Sequence, residues 1–224
     1  MPRRAPHDAR GWSRTPPGGV TEHFVEQARA AGVRDPRVLD ALEAVDRRAF
    51  VPDADDPRVA DDAPVRLPLG QTTSQPSLVA LMLEALALHG DERVLEIGTG
   101  YGYEAALLAH LAAEVVTVEV VPELAAQAAR RLAALAHVHV VEGDGRLGCP
   151  DRAPYDAVVI AARALEVPAA VAAQLRSGGR LVVPLGEAGT ERCVVLQRHD
   201  DGRLEEVASL GRVRFVPLVG DDDA

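Results

Sequence analysis

Lysine is missing altogether: the 24 basic residues of this 224-residue chain are all arginine, a compositional bias to which no mechanism attaches. Aromatic residues supply only 3% of the chain, so Ala, Val and Leu must carry burial within an ordinary 47% apolar content. Basic charge is also in deficit, and the net charge of −10 argues against a nucleic-acid substrate, whose phosphates are held by Lys and Arg. Cysteine occurs twice, at Cys149 and Cys193, in no metal-like or C-x-x-C spacing. Two reduced thiols in a cytosolic protein are expected. No run of apolar residues approaches a membrane span, and the N-terminal MPRRAPHDARGWSRTPPGG lacks the apolar segment of a secretory signal.

What is present has the length of one substantial α/β domain with a small extension. Residues 1–20, rich in Pro, Gly and Arg, predict a flexible tail. Helical patterns follow over 21–31 and from Pro36 through Phe50, the second opened by Asp35-Pro36 with Val38, Leu42 and Val45 on one face. The segment 51–70 turns to Pro and Asp and predicts an irregular surface loop, completing an N-terminal extension over 21–70. Helix resumes in SQPSLVALMLEALALHG, with Gly90 as its stop.

After Gly90 short β-branched runs alternate with helices: RVLEIG, EVVTVEV, HVHVVEGD, YDAVVIAA and GRLVVPLG are strands. That alternation predicts a doubly wound, mostly parallel, Rossmann-like sheet over 71–219. CVVLQRH and GRVRFVPLV (211–219), with no helix between them, predict antiparallel strands at its edge. Residues 220–224, with Asp221, Asp222 and Asp223, read as a frayed acidic end.

The first sheet strand ends in LEIGTGYGYEAALLA. Tyr103 stands where the dinucleotide fingerprint G-x-G-x-x-G needs its last glycine. The pattern is instead E-x-G-x-G-x-G: Glu96, then Gly98, Thr99, Gly100 and Gly102, the signature of S-adenosylmethionine-dependent methyltransferases, which makes the expected fold the Rossmann-like class I methyltransferase type. The ammonium and sulfonium of that cofactor favour an acidic neighbour such as Glu96. Glu119 closes the next strand at the spacing of a ribose-binding carboxylate, which accepts from both hydroxyls. Asp144, followed by Gly145, ends the third strand, where it can accept from the adenine amino group. His137 and His139 share one side of a strand without further ligands, so no metal is expected.

These residues resemble the protein-L-isoaspartate O-methyltransferases, from about Arg34 to Val219. RDPRVLDALEAVDRRAFVP, QTTSQPSLVALMLEAL, VLEIGTGYGYEAALLA, GDGRLGCPDRAPYDAVVIAA, SGGRLVVPLGE and VRFVPLVG follow in family order. The T-x-S-Q-P and V-R-F-V-P-L segments separate this family from other methyltransferases. The resemblance implies methyl transfer from S-adenosylmethionine to the free carboxylate of an L-isoaspartyl residue, whose ester recyclises and reopens partly to normal aspartate. No general base is evident and none is needed, because a carboxylate is ionised at neutral pH and requires mainly alignment.

By that resemblance Ser74 is the active-site serine that orients the acceptor carboxylate, and Gln71, Thr72 and Thr73 wall the cofactor. Read by itself, Ser74-Gln75-Pro76 is a helix N-cap before a first-turn proline. Arg214 and its strand line the peptide site. The chain departs from the family at Tyr101, where Ser is usual, and at Leu67-Pro68-Leu69-Gly70, which replaces I-G-H-G. It departs again at Ser77, and at Ala161-Ala162-Arg163-Ala164 in place of T-A-A-P. All these positions are expected at the substrate mouth, with the Tyr101 ring leaning over the cofactor or substrate mouth, Tyr103 packing inside, and Arg163 suited to an acidic peptide. The expectation is a cytoplasmic monomer acting on damaged proteins, with no nucleic-acid or membrane partner. A peptide-tailoring aspartate methyltransferase and a non-catalytic binding module are the competing readings.

Overall fold

The computed structural model describes residues 20–220. The N-terminal tail, except Val20, and the acidic end from Asp221 lie outside them. Helix α1 (Val20–Ala31) stops at Gly32, whose φ of 118° is the left-handed geometry of a helix terminator. Helix α2 (Pro36–Ala44) is capped by Asp35, which accepts from the Arg37 N–H at 2.9 Å, but it ends earlier than expected. Val45 leaves helical geometry, and Arg47–Phe50 forms a separate 3₁₀ turn capped by Asp46.

The expected surface loop is more ordered than its composition suggests. It contains a 3₁₀ turn at Pro57–Ala60, and strand β1 (Val65–Arg66) pairs antiparallel with β2 (Thr72–Thr73). Helix α3 (Pro76–Ala85) then begins at a first-turn proline and ends before the expected Gly90, with Ala87 in the left-handed region at φ 54°.

The sheet strands are β3 (Arg93–Ile97), β4 (Glu114–Glu119), β5 (Val138–Glu142), β6 (Tyr155–Ile160), β7 (Leu175–Leu185), β8 (Arg192–Arg198) and β9 (Leu204–Arg212). Helices α4 (Tyr103–Leu108), α5 (Pro122–Leu132) and α6 (Ala169–Gln174) connect them. The order across the sheet is β5-β4-β3-β6-β7-β8-β9, parallel from β5 to β7 and antiparallel at β8 and β9. Successive connections leave β3 and β6 in opposite directions, so a crevice opens beyond their carboxyl ends.

Two strand expectations need correction. The last strand covers 204–212, not 211–219; the apolar alternation of RFVPLV belongs to a segment that leaves the sheet and pairs with the chain at Arg163. The strand expected at GRLVVPLG begins earlier, at Leu175, where it ends α6 at Gln174, because buried Leu175 already pairs with Tyr155.

Alternate strand residues enter two separate cores. Leu95, Ile97, Val116, Val118 and Val158 face one side with Val171 of α6. Val94, Val115, Ala157, Val159 and Val182 face the other, where they join α4, α5 and residues of α1, α2 and α3. The extension over 21–70 therefore shares a core with the sheet, burying Phe24, Leu42 and Phe50 completely. Burial of a side chain of that size contributes about 2 kcal/mol each.

Candidate active site

At the carboxyl ends of β3, β4 and β6 lies a cleft of about 820 Å³, partly open to solvent. Its floor is the glycine loop. Gly98, Gly100 and Gly102 adopt φ of 95°, 56° and 95°, a left-handed path that side chains resist, and the backbone thereby turns from β3 into α4. Gly145 serves a different need: a Cβ there would fall 2.3 Å from Ile97 Cγ2, so its smallness lets the β5 terminus close against β3.

The floor contains five of the ten expected cofactor residues. Gly98, Thr99, Gly100, Glu119 and Gly145 line the cleft. Glu119 accepts from the Gly100 N–H at 2.7 Å and the Val121 N–H at 3.1 Å. Burial raises its carboxyl above the ordinary range, while the N–H groups of Val121, Gly100 and Val120 oppose that rise. The Thr99 hydroxyl turns inward and meets that of Thr117 at 2.5 Å.

Three expected cofactor residues stand behind the wall. Gly102 begins α4 and packs against Leu132. Asp144, whose side chain is 8% exposed, caps a 3₁₀ turn and is gripped by Arg146 through the backbone N–H at 2.8 Å and the guanidinium at 2.6 Å. Glu96 is fully buried, and neither of its oxygens has a hydrogen-bond partner. Burial, then the Glu104 charge, push Glu96 well above the usual carboxylate range; Glu119 adds to the rise and the nearby Thr117 hydroxyl opposes it.

Glu104 is the acid that sequence reasoning missed. It sits in the first turn of α4 and lines the cleft at only 6% exposure, with Oε1 unpartnered. Burial pushes it up to about 8. The helical register places 104 one residue beyond Tyr103, within a wholly buried helix, and that burial is the only signal the sequence offers.

The roof comes from distant parts of the chain. Gln71, Thr72, Thr73 and Ser74 line the cleft from above, with Leu67 and Phe50, and Val216–Val219 close another side. Ser74 does not cap α3: Gln75 is the N-cap, and Asp62 accepts from the Ser77 N–H (2.9 Å), the Ser77 hydroxyl (2.7 Å) and the Gln75 amide (2.8 Å). Ser77 is thus a buried capping partner and not part of the mouth.

Arg47 holds this roof. Its guanidinium, with no exposed surface, donates to the carbonyls of Asp61 (3.0 Å), Ala63 (2.7 Å) and Ser74 (3.0 Å) and to Thr73 Oγ1 (2.9 Å). Its Cζ lies 5.8 Å from the Phe24 ring and 6.0 Å from that of Tyr103. A planar fork of donors suits convergent carbonyls in a way an ammonium does not.

The two tyrosines are held differently. Tyr103 packs inside as expected, its ring 5.9 Å from Phe50. Tyr101 lines the cleft with its ring turned onto Arg131: it is 8% exposed, with Arg131 Cζ 4.1 Å from its ring centroid. Arg131 also donates to the Ala49 carbonyl at 2.9 Å, so ring and guanidinium join the glycine loop to α5 and the extension. Arg163 likewise turns from the mouth, donating to the Gly186 carbonyl at 3.4 Å while its backbone pairs with Val216 and Leu218. Arg214 is exposed and lies off the cleft wall. His137 bonds the Ala109 carbonyl at 3.0 Å, and no metal-holding group of His, Cys, Asp and Glu occurs among the described residues.

The donor set fits S-adenosylmethionine: a carboxylate at the β4 terminus for ribose, backbone glycines for close approach, and an orphaned buried Glu104 oxygen for a cation. The profile of the family described as Protein-L-isoaspartate(D-aspartate) O-methyltransferase (PCMT) matches residues 20–223. The chain is 52% identical over 203 residues to a protein-L-isoaspartate O-methyltransferase of Anaeromyxobacter dehalogenans (strain 2CP-C), covering 89% of this chain and 97% of the relative. A solved protein-L-isoaspartate O-methyltransferase superposes with TM-score 0.79 at 29% identity, over 90% of this chain and 66% of that one. A putative protein-L-isoaspartate O-methyltransferase from Plasmodium falciparum, solved with S-adenosyl-L-homocysteine, shares the fold with TM-score 0.77 at 21% identity, over 91% of this chain and 99% of its own.

Proposed function

The chain belongs to the protein-L-isoaspartate(D-aspartate) O-methyltransferase family, and on that premise we propose how its cleft divides the work. The enzyme methylates the free carboxylate of L-isoaspartyl residues in proteins, a repair reaction, with S-adenosylmethionine supplying the electrophilic methyl group. Glu119 receives the ribose hydroxyls, and Gly98, Thr99, Gly100 and Gly145 admit the cofactor close to the backbone. Glu96, Gly102 and Asp144 support that floor from behind, Asp144 through its ion pair with Arg146. Ser74 donates its hydroxyl to the acceptor carboxylate, with Thr72 and Thr73 as the adjacent wall.

One observation carries this assignment: Ser74 and the glycine loop, distant in sequence, face the same cleft from opposite sides. The acceptor is already an anion, so the protein's contribution is alignment and exclusion of water, worth several kcal/mol when the reacting atoms are held in contact. Residues 71–219 carry the transfer site, and 21–70 serve as an extension that builds its roof. Cytosolic action on protein, and not on nucleic acid, is in keeping with two free thiols and the net charge of −10. No helix of the described residues is long and apolar enough to cross a membrane.

The test uses an isoaspartyl peptide and its normal aspartyl twin with labelled cofactor. Base-labile label is expected on the isoaspartyl peptide alone. Label on the aspartyl twin alone would reassign the chain to peptide tailoring, and label on neither peptide would remove the repair assignment.

A further inference from the structure

The repair reaction accounts for the glycine loop, Glu119 and Ser74, but leaves a pair of buried acids unused. Glu104 and Glu96 lie side by side in charge interaction beneath the cleft, one on α4 and one on β3. Neither belongs to an ion pair among the described residues, and both keep unpartnered oxygens. Other titratable groups around them offer no neutralising charge. Glu119 on β4 is a third acid, and Cys193 on β8 is a buried thiol pushed up to about 12 by burial and by Glu104. Arg47 meets the neighbouring Tyr103 ring but donates its N–H groups to carbonyls and Thr73. Of the coupled pair, only Glu104 reaches the cleft wall.

A buried carboxyl without a cation is more stable neutral, and two adjacent carboxyls resist ionising together. A cation entering the cleft reverses that preference for the member it can reach. We propose that Glu104 is the acid that answers the cofactor's positive charge: neutral in the free protein, it gives up its proton when the cationic amino-acid end of S-adenosylmethionine enters. The Glu104 O–H bond breaks, the proton passes to solvent, and the carboxylate remains beside the bound cation; no other bond changes. Glu96, sealed behind the wall, keeps its proton. The inference rests on the cofactor assignment above, and it makes affinity for the methyl donor rise with pH.

Isothermal titration calorimetry of the full chain near pH 7, in buffers of different ionisation enthalpy, measures the protons exchanged. About one proton is expected to leave per S-adenosylmethionine bound, and Kd is expected to tighten up to ~10-fold per pH unit below about pH 8. Glu104→Gln is expected to abolish the release, and Glu96→Gln to retain it. Titration with S-adenosylhomocysteine, which keeps the ammonium but lacks the sulfonium, identifies the cation: release with both ligands assigns the ammonium, release with the donor alone the sulfonium. Infrared difference spectra of the wild-type protein provide a reading independent of the variants, as loss of a protonated-carboxyl band on binding. Binding without proton release, or equal release from Glu104→Gln, overturns the proposal. Absence of any binding to a folded chain would instead overturn the cofactor assignment beneath it.

Discussion

The floor and the roof of the cleft are stabilised by different means. The floor consists of strand ends and a glycine turn, fixed by the parallel ladder of β3, β4 and β6 and by apolar layers on both faces. The roof consists of short turns and a two-residue strand pair, held by two polar side chains, the buried Arg47 and the half-buried Asp62. A ladder distributes its stability over many bonds. A roof hung on one guanidinium concentrates it, because each carbonyl left without that donor loses its only recorded bond to the group. Damage to the floor is therefore expected to appear in cofactor binding, and damage to the roof in acceptor turnover.

Arg47→Met provides the largest break. Removing a buried guanidinium that ties three part-buried carbonyls and Thr73 together is expected to cost about 3 kcal/mol, read as a lowered midpoint in urea unfolding. Acceptor kcat/KM should fall by ~10²-fold while S-adenosylmethionine Kd moves little, and Arg47→Lys should recover only part of the loss. Equal loss of cofactor affinity would show that roof and floor are one unit.

Glu104 sharpens the contrast through pH. Its carboxyl, raised to about 8 when folded, ordinarily titrates near 4.5, so the folded state binds the extra proton between those values. Stability of the cofactor-free protein is expected to be greatest below the lower value and to fall as pH rises through the upper, by a few kcal/mol in total. Thermal melts of Glu104→Gln across the same range should be flatter; an identical slope would place the titrating group elsewhere.

On the floor, Glu119→Ala is expected to weaken S-adenosylmethionine by about 10²-fold, the worth of charge-assisted hydrogen bonds, with urea stability changed much less. The smallest effect is expected for Tyr101→Ser. Loss of its packing on Arg131 should cost about 1–2 kcal/mol of stability and leave the preference for isoaspartyl over aspartyl peptide unaltered. A changed preference would return Tyr101 to the mouth.

The same division governs what could be read from the residues alone. The parallel sheet was legible because Val-rich runs and glycine turns are local patterns, and Gly98, Glu119 and Gly145 reach the cleft as those patterns imply. Glu96 was misjudged in direction: alternation along β3 puts it on the inner face with Val94, which no motif spacing specifies without the packing of α4. RFVPLV alternates like an edge strand, yet its hydrogen bonds go to Arg163, a partner that only the folded chain supplies. Arg47 was invisible for a similar reason. Its acceptors are backbone carbonyls, and carbonyls have no residue identity to read.

The closure of the cleft by Val216–Val219, opposite a roof built from residues 47–74, also bears on how the enzyme is made. Synthesis delivers the roof and the floor long before it delivers the last wall, and contacts between segments so far apart in the chain form late. A growing polypeptide thus has a cofactor cradle before it has a complete chamber. Competence for chemistry waits on a segment made after the cradle itself.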